Sequence, residues 1–351
     1  MPADFEEAFA RLPEMRQHVR VDLGLVRTEV DHLQRLGARL GIRLLAKRDD
    51  AQPLAMGGNK VRQLEYYLGP GATRGADTVL ITGAVQSNFV RLCAAAARKL
   101  GWQAVVQLED RVPTDDAFYN RSGNVLLEQL LGATIHHFPV GEDEAAADAN
   151  LDRLAEGLAA AGQIPHVVHL GMDHAPIGGL GYALAAVETF LQLEELKLWP
   201  DHVVIPSGSG LTHAGFLVGA RAIGWSVPVH GICVRRGAAP QRARIETRSA
   251  EVNSLLDNRA ALAPGDVLLD DAVLAPGYGR LNGAVLAAIR HAAQDEALLL
   301  DPVYSGRTMA GLESLVSRGV IGQGETVLFV HTGGLPAIFA YQTELTAGLE
   351  P

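Results

Sequence analysis

Cysteine is scarce: the 351 residues include two, Cys93 and Cys233, neither in a CxxC pair nor in a Cys/His cluster. That leaves out the spacing of a structural zinc site and fits a reducing compartment. Basic residues are outnumbered, 30 Lys and Arg against 40 Asp and Glu, for a formal net charge of −10. An acidic surface argues against broad nucleic-acid or anionic-membrane binding, while leaving room for a local basic pocket. No apolar run approaches the roughly 20 residues that span a bilayer. The charged start MPADFEEAFARL lacks the apolar stretch of a signal peptide. No GK[ST] closes a glycine loop, and no GxGxxG follows the first strand, so P-loop and dinucleotide fingerprints are missing too. The expectation is a soluble, cytoplasmic protein with neither a nucleic-acid nor a membrane partner, and no metal.

What is present is an ordinary globular composition, 48% apolar and 20% charged. Short apolar runs alternate with Ala/Leu-rich helical stretches. Strands are read at 78–84, 104–108, 134–140 and 166–170, with helices at 90–101, 124–133 and 143–162. After the Gly/Pro-rich interval 173–182, a candidate crossover, come a helix, a strand at 202–206, a helix from Thr212, and strands at 229–234 and 326–332. This βαβ rhythm predicts an α/β protein with two open twisted, mainly parallel sheets flanked by helices. The expected division is a small domain, 58–174, inserted in a large one formed by 1–57 and 175–351. A ligand is then expected between the lobes.

Four loops sit where such sheets carry chemistry, at the carboxyl ends of strands. Gly57 and Gly58 make a tight turn just before Asn59 and Lys60, and the next residues read as a helix. A helix start disfavours a cation and so favours the neutral amine of Schiff-base chemistry; a plain surface lysine fits as well. TGAVQSNFVR (82–91) offers Ser87 as a helix cap whose free N–H groups suit a carboxylate, or simply cap the helix. PSGSGLTHAG (206–215) could wrap a phosphate at a helix N-terminus, or be a common tight turn. HTGGLPAIFAY (331–341) places the Thr332 hydroxyl at a strand end, or forms a turn before Pro336. Tyr278 in APGYGRLNG and Tyr304 in DPVYSGRTMAG are candidates for ring stacking or acid–base work, or for packing.

Taken in order, GGNK, QSN, SGSGxTHAG, PGYG, DPVYSG and HTGG resemble the signature of the fold-type II pyridoxal 5'-phosphate (PLP) enzymes. Within these they resemble the D-cysteine desulfhydrase and 1-aminocyclopropane-1-carboxylate (ACC) deaminase family, from about Arg20 to Tyr341. The resemblance implies that Lys60 carries the cofactor as a Schiff base and then acts as the base on the substrate. It implies that Gln86, Ser87 and Asn88 hold a substrate carboxylate, with Asn88 also reaching the cofactor's ring hydroxyl. Gly208, Ser209, Gly210, Leu211 and Thr212 would cradle the phosphate. Thr332 would face the pyridine nitrogen with Ser305 nearby, and Gly333 would lie against the substrate. Tyr278 and Tyr304 would flank ring and substrate. A homodimer acting on a small amino acid is expected on the same ground.

Three departures bear on the reaction. Ser305 stands where ACC deaminase resembles a glutamate-bearing site, which weakens the electron sink and favours β-elimination over ring opening. Phe89 replaces a histidine common after QSN in desulfhydrase-like members, which dries the substrate pocket. Leu211 replaces a usual glycine, which the loop accommodates if φ there is not positive. The expected activity is β-elimination from a β-substituted amino acid, D-cysteine to pyruvate, sulfide and ammonia. The alternatives are an L-cysteate sulfo-lyase, with Arg62, Arg280 or Arg307 meeting the sulfonate, an ACC deaminase, a β-replacing biosynthetic enzyme, and a non-catalytic PLP-binding protein.

Overall fold

The computed structural model describes residues 5–348; the first four residues of the charged N-terminal segment and the last three lie outside them. Ten strands run in chain order: β1 (Val30–His32), β2 (Arg43–Lys47), β3 (Thr78–Ala84), β4 (Gln103–Glu109), β5 (Thr134–Phe138), β6 (Pro165–Val168), β7 (His202–Ser207), β8 (Val229–Cys233), β9 (Leu268–Asp270) and β10 (Thr326–Val330). They form two sheets, β1-β2-β10-β7-β8-β9 and β5-β4-β3-β6. Among the described residues only the β1–β2 pair is antiparallel. The α/β architecture with two mainly parallel, helix-flanked sheets is therefore as read from sequence. The four-stranded sheet uses residues within 78–168, and the six-stranded sheet joins β2 to β10 from opposite ends of the chain.

Why these strands form is visible in their burial. β3, β8 and β10 are buried at every position, as a parallel sheet covered on both faces demands. Strands β1 and β9 have three residues each, too short for a periodic signal, and were not anticipated; nor was β2.

The interval 173–182 corrects one reading. Its glycines do not all make a loop: the helix Gly179–Leu196 already begins inside it. A Cβ on Gly181 would sit 2.1 Å from Arg62 O, and one on Gly178 would sit 2.2 Å from the Tyr67 ring. These glycines let this helix approach the helix Lys60–Thr73 backbone to backbone. One continuous apolar core follows, holding Val61 and Leu64 with Val90, Leu180 and Leu184. That core holds the start of the Lys60 helix against the four-stranded sheet, whose Val79, Ile81 and Val106 belong to it. No described helix is long and apolar enough to cross a membrane.

Candidate functional site

One cavity gathers the loops that follow β3, β7 and β10 together with the turn before Lys60. Lys60, Ser87, Asn88, Phe89, Gly208, Ser209, Gly210, Thr212, Tyr278, Tyr304, Thr332 and Gly333 all line it. Strand carboxyl ends thus converge on one space, as expected for open α/β sheets.

Two turns lock together to place the lysine. Gly57 and Gly58 have φ of 67° and 120°, and Gly333 has φ of 87°. A Cβ on Gly333 would lie 2.7 Å from Gly58 Cα, so neither backbone tolerates a side chain there. Asn59 N donates to Thr332 O at 3.0 Å, which ties the lysine turn to the end of β10. Lys60 is the first residue of its helix. Its Nζ lies 5.1 Å from the centroid of the Phe89 ring. Enclosure by the cavity walls strips water from the ammonium and lowers its pKa to about 8.

Arg62 is held elsewhere. It is buried and pairs with Asp49 at 2.9 Å and Glu188 at 2.8 Å, while the Tyr182 hydroxyl donates to Asp49 at 2.7 Å and Lys47 pairs with Glu188. This network anchors the helix two residues after Lys60 and leaves Arg62 unable to meet a ligand. Arg307 donates to the carbonyls of Val273, Leu274 and Arg280, and Arg280 donates to Pro113 O. None of the three arginines read as sulfonate partners lines the cavity.

At the end of β3, Ser87 caps the helix Asn88–Leu100 by accepting from Val90 N at 3.3 Å. Asn88 Oδ1 accepts from Asn124 Nδ2 at 3.0 Å and from Arg91 at 3.5 Å. Its carbonyl end is therefore engaged, and the side chain offers its NH₂ donors to the cavity. Gln86 is spent on structure: its Nε2 donates to Tyr119 O at 2.6 Å and Ser122 O at 3.0 Å, and its Oε1 accepts from Asn124 N at 3.0 Å. It braces the loop and does not line the cavity, contrary to the expected carboxylate contact.

After β7, Gly210 (φ 105°) caps the helix Leu211–Ala222. Leu211 has no positive φ and buries its side chain in the core, so only its N–H faces the anion cradle. The loop's carbonyls are turned away: Gly208 O accepts from Gln241 at 3.0 Å and Arg236 at 3.3 Å, and Ser209 O from Arg244 at 2.8 Å. The helix-start N–H groups lack partners within the helix and form an anion site. Thr212 Oγ1 accepts from Asn59 at 2.8 Å and Gln63 at 2.9 Å, which leaves its own proton to donate.

The hydroxyls of Tyr278 and Tyr304 are 2.8 Å apart, their rings 6.1 Å apart and edge-on at 70°. Burial raises both phenol pKa values, so both are protonated at neutral pH. Ser305 is fully buried, with Oγ donating to Asp301 at 2.6 Å; Asp301 in turn packs against Gly334 in the turn after Thr332, and Ser305 is not itself among the cavity's lining residues.

Two charged lining residues escaped the sequence reading, Arg111 and Arg235. Each follows a strand by two residues, β4 and β8 respectively, a position that marks the ligand side of such a sheet. Glu109 holds Arg111 through two bonds, at 2.8 and 2.9 Å.

Comparison with known proteins agrees with this geometry. A family profile described as pyridoxal-phosphate dependent enzyme matches residues 21–333. The chain is 40% identical to the D-cysteine desulfhydrase of Serratia proteamaculans, over 95% of this chain and 98% of that one. It is 37% identical to the probable 1-aminocyclopropane-1-carboxylate deaminase of Cryptococcus neoformans, over 90% and 92%. A crystal structure of an ACC deaminase homologue superposes with a TM-score of 0.84 at 31% identity, covering 98% of this chain and 99% of that one.

Proposed function

This chain belongs to the pyridoxal-phosphate-dependent enzyme family, and from that premise we propose that it is a β-eliminating lyase. Its substrate is a small β-substituted amino acid, as for the D-cysteine desulfhydrases it is similar to, and its products are pyruvate, ammonia and the released substituent.

The residues present fit the cofactor. A desolvated amine, an N–H cradle with its carbonyls turned outward and a donor-bearing Asn88 share one cavity. In this reading Lys60 holds the aldehyde carbon, Gly208–Thr212 the phosphate, Asn88 the ring hydroxyl and Thr332 the ring nitrogen. When bound, the cofactor supplies a conjugated electron sink that weakens the bonds at Cα.

The observation that carries elimination is the make-up of that lining: it contains the Thr332 hydroxyl and no carboxylate. A neutral partner tempers the sink, which suits loss of a good leaving group better than opening a carbon ring. Ser87 and the helix start behind it receive the substrate carboxylate. Lys60, with its pKa near 8, takes the Cα proton. The Tyr304–Tyr278 pair donates a proton on the side of the departing group. Phe89 covers Lys60 and keeps water from it.

The same reading takes 58–174 as the small lobe and places the enzyme in the cytoplasm as a homodimer. Exposed Phe118, Leu126, Leu130 and Phe339 on three mutually packed helices support self-association. The test is a panel of D- and L-cysteine, L-cysteate, β-chloroalanine and ACC, scored for the keto acid released. Pyruvate from the β-substituted substrates is expected. Turnover of ACC alone, or of nothing, contradicts the proposal.

A further inference from the structure

Arg91 is fully buried near the start of the helix Asn88–Leu100, where a cation is disfavoured, and it does not line the cavity. An ion pair does not explain it. Glu128 is the acidic side chain whose field reaches it, yet neither carboxyl oxygen has a hydrogen-bond partner among the described residues, and burial lifts the Glu128 pKa well above the ordinary value. Burial also lowers the Arg91 pKa, to about 10, which leaves it charged at neutral pH.

What the guanidinium holds is neutral. Nη1 donates to Ala55 O and, at 3.2 Å, to Gly57 O. Both acceptors belong to the turn before Lys60, where Ala55, Met56, Gly57 and Gly58 all have positive φ, of 41°, 66°, 67° and 120°. Residues with a Cβ keep such a φ only where their surroundings hold it. Nε donates to Asn124 Oδ1 at 3.0 Å. A guanidinium cannot accept, so Asn124 must turn its carbonyl to Arg91 and its NH₂ to Asn88 Oδ1, at 3.0 Å. Arg91 Nη2 lies 3.5 Å from that same oxygen. Asn88 is left with its own NH₂ toward the cavity. The polarity of both amides follows from the one group in the chain that only donates.

We infer that Arg91 is a positioning residue for the cofactor: it holds the left-handed turn that presents Lys60, and through Asn124 it sets the end of Asn88 that meets the ring hydroxyl. One buried side chain thus places both the amine and the amide. This rests on the cofactor roles given to Lys60 and Asn88, and not on which bond the enzyme breaks.

The test is the absorbance spectrum of the holoenzyme at fixed pH. The visible band of a lysine-linked cofactor belongs to the ionised ring oxygen, and the near-ultraviolet band to the neutral hydroxyl. An amide NH₂ donates to the first, and an amide carbonyl accepts from the second. Wild type should therefore absorb chiefly in the visible. Arg91→Lys keeps the charge, but one ammonium cannot span both the turn and Asn124. The ratio of near-ultraviolet to visible absorbance should then rise about tenfold, as expected for a lost hydrogen bond to a charged group. Asn124→Ala leaves the turn contacts in place and should raise the ratio too, which keeps the test decisive if the lysine variant does not fold. Arg91→Lys should also load cofactor more slowly. Adding Ala55→Gly, which adopts the turn unaided, should recover the rate but not the ratio. A merely structural arginine would lower both bands together. Bands falling at an unchanged ratio, a wild type absorbing chiefly in the near ultraviolet, or a loading rate that the glycine does not recover overturns the proposal. Failure of the cofactor reading shows separately, as wild type with neither band.

Discussion

The Asn124 side chain donates to Asn88 Oδ1 at 3.0 Å, and this bond, with the longer one from Arg91, sets which end of Asn88 faces the cavity. Asn124 also donates to Gln86 O at 3.1 Å, so it ties the loop after β3 to the start of its own helix. Asn124→Asp keeps the shape but replaces the donor by an acceptor. Asn88 should then turn its NH₂ toward residue 124 and present its carbonyl to the cofactor. Losing a buried hydrogen bond to an ionised ring oxygen costs roughly 1.5–3 kcal/mol, so cofactor affinity should fall about tenfold or more, measured by equilibrium dialysis. Unchanged affinity contradicts the assigned orientation.

Lys60 sets a pH dependence for loading. Burial lowers its pKa from 10.5 to about 8, so near pH 7 it carries roughly 300 times more neutral amine than an ordinary lysine. The rate at which apoenzyme gains the visible absorbance of lysine-linked cofactor should rise with pH and level off above about 8. A rise continuing through pH 10 contradicts the lowered value.

Tyr304→Phe removes one hydroxyl of the 2.8 Å pair and leaves the ring in place. If the pair protonates the departing group, kcat should fall by roughly 100- to 10,000-fold for a thiol leaving group. It should fall far less for chloride, which needs no proton. Stopped-flow assays with cysteine and β-chloroalanine give the comparison. Equal losses on both assign the hydroxyl to positioning alone.

Gly181→Ala tests the helix contact beneath the site. The added methyl would lie 2.1 Å from Arg62 O, which cannot move without disturbing the buried ion network. Overpacking of this kind costs about 1–3 kcal/mol, read as a lower urea midpoint. Gly283→Ala, where nothing lies within 4 Å of the new methyl, should be neutral or slightly stabilising.

The six ordered motifs were legible because each is a local turn whose glycines, cap residue or lysine is dictated by short-range backbone geometry. The strands were legible where they are fully buried, and β1 and β9 were not, since three residues make no pattern. Glycines 178–181 misled because close helix packing and a loop demand the same residue. Gln86 misled because hydrogen bonds to the Tyr119 and Ser122 carbonyls, more than 30 residues away, claim its side chain. Arg111 and Arg235 stayed invisible because nothing local separates an arginine held by Glu109 or Glu144 from a surface one.

The most direct measurement of the central claim is to reduce the holoenzyme with borohydride and map the modified peptide by mass spectrometry. The phosphopyridoxyl group is predicted on Lys60, in the peptide holding GGNK, and absent from Lys60→Ala. A label on Lys47 or Lys99, or on no lysine, would contradict it.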